Sequence, residues 1–304
     1  MTGDRSTYLR KVAVVGLLLL LLVLDGASRA VAQGPEDLSA QLKSNRRTQF
    51  ASALSSGPLL FAGSGLNLAI TRILAKAFSR VGPGIEIKIP ASIGSSGGIR
   101  ASGEGAVTVG LVSRPLKERE RKFGLTVMPY AQTALVIGAH PAVPDDGITF
   151  EELIGIYKGA KTRWRNGRDI IVLTRDPGES SIQLLAEVVP GFKKAYEESK
   201  RANRWITLFT DQEMNDALIR TPDAIGLSDL GTIRTERLPI KILKVNGVLP
   251  TPESVRSGKY PFVRTLAFVF LKDRVPDEAR AFLDFVRSAE GEKILIANGY
   301  VLVK

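Results

Sequence analysis

Cysteine is absent from the 304-residue chain, and histidine occurs only once. The lack of cysteine excludes disulfide bonds, thiolate chemistry and cysteine-ligated zinc, and it removes the acceptor for a lipid anchor. The apolar run from Val12 to Leu24, which Asp25 ends, is too short to cross a bilayer comfortably, since a spanning helix needs about 20 apolar residues. With 44% apolar residues, the chain can instead build an ordinary buried core.

Basic residues and a small-residue motif flank this apolar run. Arg10 and Lys11 precede it, and Ala30-Val31-Ala32 follows it with the pattern of a signal-peptidase site. This order is typical of a secretory signal, so residues 1–32 are predicted to be a signal peptide that is cleaved after Ala32. An uncleaved N-terminal anchor is the alternative. In both cases we expect the remaining chain to work outside the cytoplasm, in the periplasm or secreted.

The chain is strongly basic, with a formal net charge of +11. A basic surface attracts anions and raises their rate of encounter. The lysines and arginines are scattered rather than clustered beside aromatic residues, so nucleic acid is not the expected partner. A solvated basic surface without a specific partner is the favoured explanation of the charge.

Strand-like and helix-like segments alternate from Leu59 onward, after a polar leader predicted at residues 33–56. Isoleucines alternate with charged residues from Ile85 to Ile89, as in a strand, and Val127 to Gly138 is predicted to be a long extended segment. Near the C-terminus, Ala279 to Ala297 is predicted to be one helix that ends at Asn298-Gly299. The alternation predicts an α/β fold with largely parallel sheets.

Three glycine- and serine-rich segments follow predicted strands, and at least two of them open a helix. They are Gly63–Gly65, Gly94–Gly98 and Arg175–Ser181, and Arg114 ends a further predicted strand. Such segments present free backbone N–H groups, hydroxyl donors and the positive end of a helix dipole, which together suit a dehydrated oxyanion. Tight turns and helix caps are the structural alternative for each segment taken alone.

Motifs of other function classes fail in detail. Leu68 stands where the third glycine of a dinucleotide fingerprint belongs, and no P-loop ending occurs. Gly94–Gly98 matches the G-x-S-x-G string, which would make Ser96 a nucleophile, but the only histidine available as its base is His140 at a strand end. We therefore expect no catalytic residues and no enzyme activity.

At these segments the chain resembles the phosphate-binding proteins of bacterial phosphate ABC transporters, the PstS-like family. The resemblance extends from about Leu59 to Lys304. Its motifs are Gly63-Ser64-Gly65-Leu66-Asn67, Ile93-Gly94-Ser95-Ser96-Gly97-Gly98-Ile99, Val109-Gly110-Leu111-Val112-Ser113-Arg114-Pro115-Leu116, Leu153-Ile154-Gly155-Ile156-Tyr157-Lys158-Gly159 with Trp164, Ser257-Gly258-Lys259-Tyr260-Pro261, and the segment from Phe282 to Tyr300.

The resemblance implies a type II periplasmic-binding-protein fold, in which two α/β lobes are joined by a hinge and the ligand lies in the cleft between them. The first lobe would be discontinuous, comprising residues 57–135 and 239–304, and the second would comprise residues 136–238. Position by position, the resemblance implies the ligand-binding residues Asn67, Ser95, Ser96, Arg175, Ser180 and Ser181. Ser64, Arg114 and Glu179 complete the expected set of ligand-binding residues.

Two positions depart from the best-known pattern of the family. Arg114 stands where that pattern has an aspartate that accepts a proton from phosphate, and Glu179 replaces a serine donor. The paired exchange suggests that Arg114 supplies a second bidentate clamp, while Glu179 accepts the phosphate proton or pairs with Arg114. A solvent-facing acid in a first helical turn is the alternative for Glu179.

The sequence therefore predicts an exported, monomeric solute-binding protein that captures phosphate and delivers it to an ABC transporter permease. No cofactor or metal is expected. A receptor for sulfate, molybdate or tungstate is the alternative within the same class. A sensory protein that reports to a membrane kinase is the alternative in a different class.

Overall fold

The computed structural model describes residues 57–81 and 84–303. The signal peptide predicted at residues 1–32 and the leader at 33–56 lie outside these residues. Within the described part of the chain, every helix is too short or too polar to cross a membrane.

Strands and helices alternate as the sequence pattern indicates. The strands are β1 (Leu59–Gly63), β2 (Ile87–Lys88), β3 (Val109–Val112), β4 (Thr126–Ala139), β5 (Gly147–Ile148), β6 (Ile171–Arg175), β7 (Ile206–Leu208), β8 (Ala224–Asp229), β9 (Lys241–Ile242), β10 (Lys244–Val245), β11 (Val263–Phe270) and β12 (Val301–Leu302). The α-helices are α1 (Gly65–Phe78), α2 (Gly94–Glu104), α3 (Phe150–Lys158), α4 (Ser180–Val188), α5 (Phe192–Arg201), α6 (Asp211–Arg220), α7 (Leu230–Thr235), α8 (Pro252–Arg256), α9 (Asp277–Val286) and α10 (Ala289–Ala297). Short 3-10 helices cover Glu118–Phe123 and Lys272–Arg274.

The long strand β4 joins two halves of the main sheet, whose order is β2-β1-β3-β11-β4-β8-β6-β7. Residues 126–134 of β4 pair with β11, and residues 135–139 pair with β8. Pairing is parallel in the outer parts of both halves and antiparallel wherever β4 or β11 takes part. The expectation of largely parallel sheets is therefore wrong for the centre, because the strands that link the halves run in opposite directions.

Two large apolar cores lie on either side of this link. The first is built from residues between Leu59 and Ala131 together with Leu266 to Tyr300. The second is built from residues between Ala134 and Phe262, together with Val301. The lobe boundary expected between residues 238 and 239 thus cuts through the second core, and we propose that the chain returns to the first lobe near residue 263 instead.

The helix predicted from Ala279 to Ala297 is two helices, which is a correction to the sequence reading. Helix α9 ends at Val286, and α10 begins at Ala289 after Ser288. The Ser288 hydroxyl accepts a hydrogen bond from the N–H of Gly291 at 3.3 Å, so it caps a new helix in the middle of an apolar pattern that continues across the break.

Candidate anion-binding site

Three serine hydroxyls from separate elements meet at the hydroxyl of Ser113 and form a cluster of four. Its Oγ lies 2.9 Å from Ser64 Oγ, 3.3 Å from Ser95 Oγ and 3.4 Å from Ser180 Oγ. All four residues are buried, and Ser113 is 0% exposed. Ser113 directly follows β3, and the other three stand at the starts of α1, α2 and α4. The cluster thus combines neutral donors with three helix N-termini.

Glycine lets β1 bring Ser64 into this cluster. A Cβ on Gly63 would lie 2.0 Å from the carbonyl oxygen of Leu111, so only glycine allows the end of β1 to approach β3 this closely. The next residue, Ser64, is the N-cap of α1, but its side chain does not cap the helix and is directed to Ser113.

The second segment is helical from its first glycine. Helix α2 begins at Gly94, so Ser95 and Ser96 lie in its first turn. Ser95 Oγ accepts the N–H of Ser113 at 3.2 Å, whereas Ser96 is exposed and accepts from Arg114 Nη2 at 2.8 Å. His140 Nδ1 accepts the N–H of Ala142 in its own turn, so the structure gives no sign of a pairing between Ser96 and a histidine base.

Asn67 is fully buried and braces the start of α1. Its Nδ2 donates to the carbonyl of Val112 at 3.2 Å, and its Oδ1 accepts from the hydroxyl of Tyr130 at 2.7 Å. Burial raises the pKa of Tyr130, so this hydroxyl stays protonated and remains a donor. The Asn67 amide, expected to be a ligand donor, is engaged within the first lobe.

Arg114 forms a buried bidentate ion pair with Glu120. Its Nη1 and Nη2 donate to the two carboxylate oxygens at 2.8 and 2.7 Å, and they also donate to the carbonyl of Pro115 and to Ser96. Burial favours the neutral acid, but hydrogen bonds from Arg114 and from the N–H of Lys117 outweigh it and lower the pKa of Glu120. The expected pairing of Arg114 with Glu179 is therefore wrong, and all four terminal N–H groups of Arg114 are already used.

Arg175, at the end of β6 in the second lobe, is only 3% exposed. Its Nη2 donates to the carbonyl of Phe209 at 3.1 Å, while Nε and Nη1 have no hydrogen-bond partner among the described residues. Two carboxylates approach it, with Glu179 Oε1 at 3.6 Å and Asp211 Oδ1 at 3.4 Å. A buried guanidinium with free donors is suited to binding an anion.

Glu179 caps its own helix. It is the N-cap of α4, and its Oε2 accepts from the N–H and hydroxyl of Ser181 at 2.9 and 3.0 Å. The same oxygen lies 3.4 Å from the hydroxyl of Ser180. Glu179 therefore organises the two serines of α4 and is neither a solvent-facing acid nor a partner of Arg114.

Two residues of this site were not singled out from the sequence. Ser113 could have been found, because it follows a predicted strand as the other donor segments do. Asp211 begins α6 directly after the N-cap Thr210, whose capping box with Glu213 predicts a helix start and nothing more. Only the fold brings its carboxylate against Gly65, where a Cβ would lie 1.9 Å from Asp211 Oδ2.

A third arginine of the described residues is also buried. Arg264 on β11 is 6% exposed, and its Nε and Nη2 have no partner within the described residues. Burial lowers the pKa of Arg264 to about 10, against the opposing influence of Glu179 and Glu187. No sequence signal selects Arg264, because a single arginine in an apolar strand carries no motif.

The arrangement can bind a small oxyanion without further chemistry. Serine hydroxyls, helix N-termini and one guanidinium provide donors from both lobes. Ser96, the serine at the nucleophile position of the G-x-S-x-G string, is paired with Arg114. The model of the PBP superfamily domain matches residues 48–290, well over half of the chain. The chain belongs to this family.

Members and neighbours of the PBP superfamily agree with this assignment. The chain is 27% identical to the phosphate-binding protein PstS of Borreliella burgdorferi over 217 residues, which are 69% of this chain and 78% of that protein. A Clostridium perfringens chain, assigned to the phosphate ABC transporter substrate-binding proteins and solved with bound phosphate, matches with a TM-score of 0.73 and 25% identity, covering 82% of this chain and all of that one. An ABC-type phosphate transport receptor from Vibrio cholerae shares the fold with a TM-score of 0.59 at 20% identity, covering 81% of this chain and all of that one.

Proposed function

We propose that this protein binds inorganic phosphate between its lobes and delivers it to an ABC transporter permease. It would act outside the cytoplasm, as a monomer, and without catalysing a reaction. The observation that carries the proposal is the convergence of four buried serine hydroxyls, with Glu179 contacting both Ser180 of this cluster and the buried guanidinium of Arg175. The names of the Borreliella and Clostridium proteins support phosphate as the ligand.

The donors of this site suit a dianion. Hydroxyl and backbone N–H groups supply hydrogen bonds without adding charge, and Arg175 supplies one positive charge with free N–H groups. An oxyanion that loses its water therefore regains hydrogen bonds from both lobes at once, which is the condition for burying a charge without a large penalty. Because Ser113 and Ser180 belong to different lobes, the same anion would hold the lobes together.

Replacing Arg175 tests the proposal. We expect Arg175→Met to weaken phosphate binding by about 100-fold or more, because each charge-assisted hydrogen bond contributes about 1.5–3 kcal/mol and Arg175 can offer two. Isothermal titration calorimetry with phosphate, sulfate and molybdate measures the change. The matched control is Arg201→Met, an exposed arginine at the end of α5, which should leave binding intact.

Three results would contradict the proposal. The first is an absence of binding heat with every oxyanion for the unaltered protein. The second is tighter binding of sulfate or molybdate than of phosphate, which would assign the site to another oxyanion. The third is ester hydrolysis that Ser96→Ala abolishes, which would indicate an enzyme.

A further inference from the structure

The Asp211 carboxylate reaches across the cleft to the N-terminus of α1. A Cβ on Gly65, the first residue of that helix, would lie 1.9 Å from Asp211 Oδ2, so the carboxylate rests directly on the helix end. The backbone N–H of Gly65 stabilises its ionised form. Helix α1 has 14 residues, so its N-terminus carries the partial positive charge that attracts anions.

The same carboxylate also faces Arg175. Asp211 Oδ1 lies 3.4 Å from Nη1, which is a nitrogen without a hydrogen-bond partner among the described residues. The contact is an ion pair without a hydrogen bond, so the arginine is only partly satisfied. Asp211 thus touches a donor of each lobe that an incoming oxyanion would use.

We propose that Asp211 is an internal competitor for the anion, whose carboxylate holds the N-terminus of α1 and Arg175 until an oxyanion displaces it. This inference rests on the proposed function. Binding would replace the Asp211 carboxylate with the ligand at the same donors. The measured binding free energy would therefore be the difference between the interaction free energies of the ligand and of the carboxylate with these donors. Asp211 would therefore set how much external anion is needed to fill the site.

Charges on the neighbouring elements act on this exchange. Arg175 on β6 attracts the carboxylate, while Glu179 before α4 and Asp229 at the end of β8 repel it. Burial raises the pKa of Asp211 to about 6, Arg175 opposes this shift, and Glu179 adds to it. The competitor is therefore charged above about pH 6 and neutral below it, so competition weakens as the pH falls.

Calorimetry with phosphate and sulfate at about pH 8 and about pH 5 tests the inference. Sulfate keeps its charge over this range, so its pH dependence reports the protein. We expect Asp211→Asn to bind both anions about tenfold more tightly at about pH 8, because the neutral amide competes weakly for the same donors. At about pH 5 the affinity of Asp211→Asn for both anions should approach that of the unaltered protein. Asp216→Asn, an exposed position on the same helix, is the matched control.

Each contrary outcome has a distinct meaning. If Asp211→Asn weakens phosphate binding and leaves sulfate binding unchanged, the carboxylate accepts a proton from the ligand, and the proposal that Asp211 is a competitor is overturned. Unchanged affinity for both anions overturns it as well, while the proposed function stands. If no variant binds any oxyanion, the proposed function itself fails. Should Asp211→Asn fold poorly by circular dichroism, Asp211→Ser makes the same comparison.

Discussion

Ser113 occupies the centre of the site, although its side chain carries no charge. Its hydroxyl contacts serines of both lobes, and its backbone N–H donates to Ser95. A hydroxyl can donate one hydrogen and accept two, so Ser113 can contact all three serines. The serine that accepts from Ser113 keeps its own hydrogen free to point at a ligand.

Removing this hydroxyl should weaken phosphate binding. We expect Ser113→Ala to lower the affinity by about threefold to tenfold, because a neutral hydrogen bond contributes roughly 0.5–1.5 kcal/mol. Calorimetry measures the change. Ser102→Ala is the matched control, since Ser102 is also buried but donates to Val269 within the first lobe. An equal loss in both variants would show that packing, and not the cluster, is responsible.

At the scale of elements, a helix cap makes the stability of the protein depend on pH. Asp229 ends β8 and caps α7, where its Oδ1 accepts the N–H of Thr232 at 2.8 Å. Burial raises the pKa of Asp229 to about 7; the bonds from Thr232 oppose this, and the charges of Asp211 and Glu236 add to it. A carboxyl whose pKa is raised by folding makes the protein less stable as the pH rises from its unfolded value towards its folded one.

Asparagine at this cap should remove that pH dependence. Asn caps a helix as well as Asp does, so Asp229→Asn keeps the cap and loses the titration. We expect the variant to match the unaltered protein near pH 4 and to be more stable by about 2–4 kcal/mol above about pH 7. Urea unfolding at both pH values measures this. Asp284→Asn, exposed on α9, should show no such difference; a constant gain at all pH values would contradict the assignment.

Local sequence patterns predicted most of the helices and strands but not the contacts between them. The glycine and serine segments, the long β4 and the site arginine at the end of β6 follow from periodicity and from the resemblance. The helix break at Ser288 was not predicted, because a single serine interrupts a helical apolar pattern only where its hydroxyl is free to cap a new helix. The Arg114–Glu120 pair was not predicted, because the partners stand six positions apart and a tight 3-10 helix brings them together.

Contacts between lobes are the part that sequence reasoning could not reach. Asp211 meets Gly65 only because the sheet halves share β4, and nothing near either residue in the chain indicates the other. The lobe boundary expected between residues 238 and 239 divides the second core for a related reason. The residues after 238 contain strands too short for a clear period, and their side chains pack in the second core.

At the scale of the whole molecule, a ligand held by both lobes stabilises the entire fold. At a phosphate concentration 100 times the dissociation constant, we expect the free energy of unfolding to rise by about 2.7 kcal/mol, because binding to the native state shifts the equilibrium by mass action. Differential scanning calorimetry should show a rising melting temperature for the unaltered protein and little change for Arg175→Met. A melting temperature that phosphate leaves unchanged would contradict binding.

The division of the cores also has a consequence for how the chain assembles as it is made. Almost all buried members of the second core lie between residues 134 and 262, whereas the first core needs Phe282 and Tyr300 to be complete. Because synthesis releases a chain from its N-terminus, domains usually fold in sequence order. Here that order is inverted: the part of the protein that emerges first must wait, incomplete, until its last helices have been made.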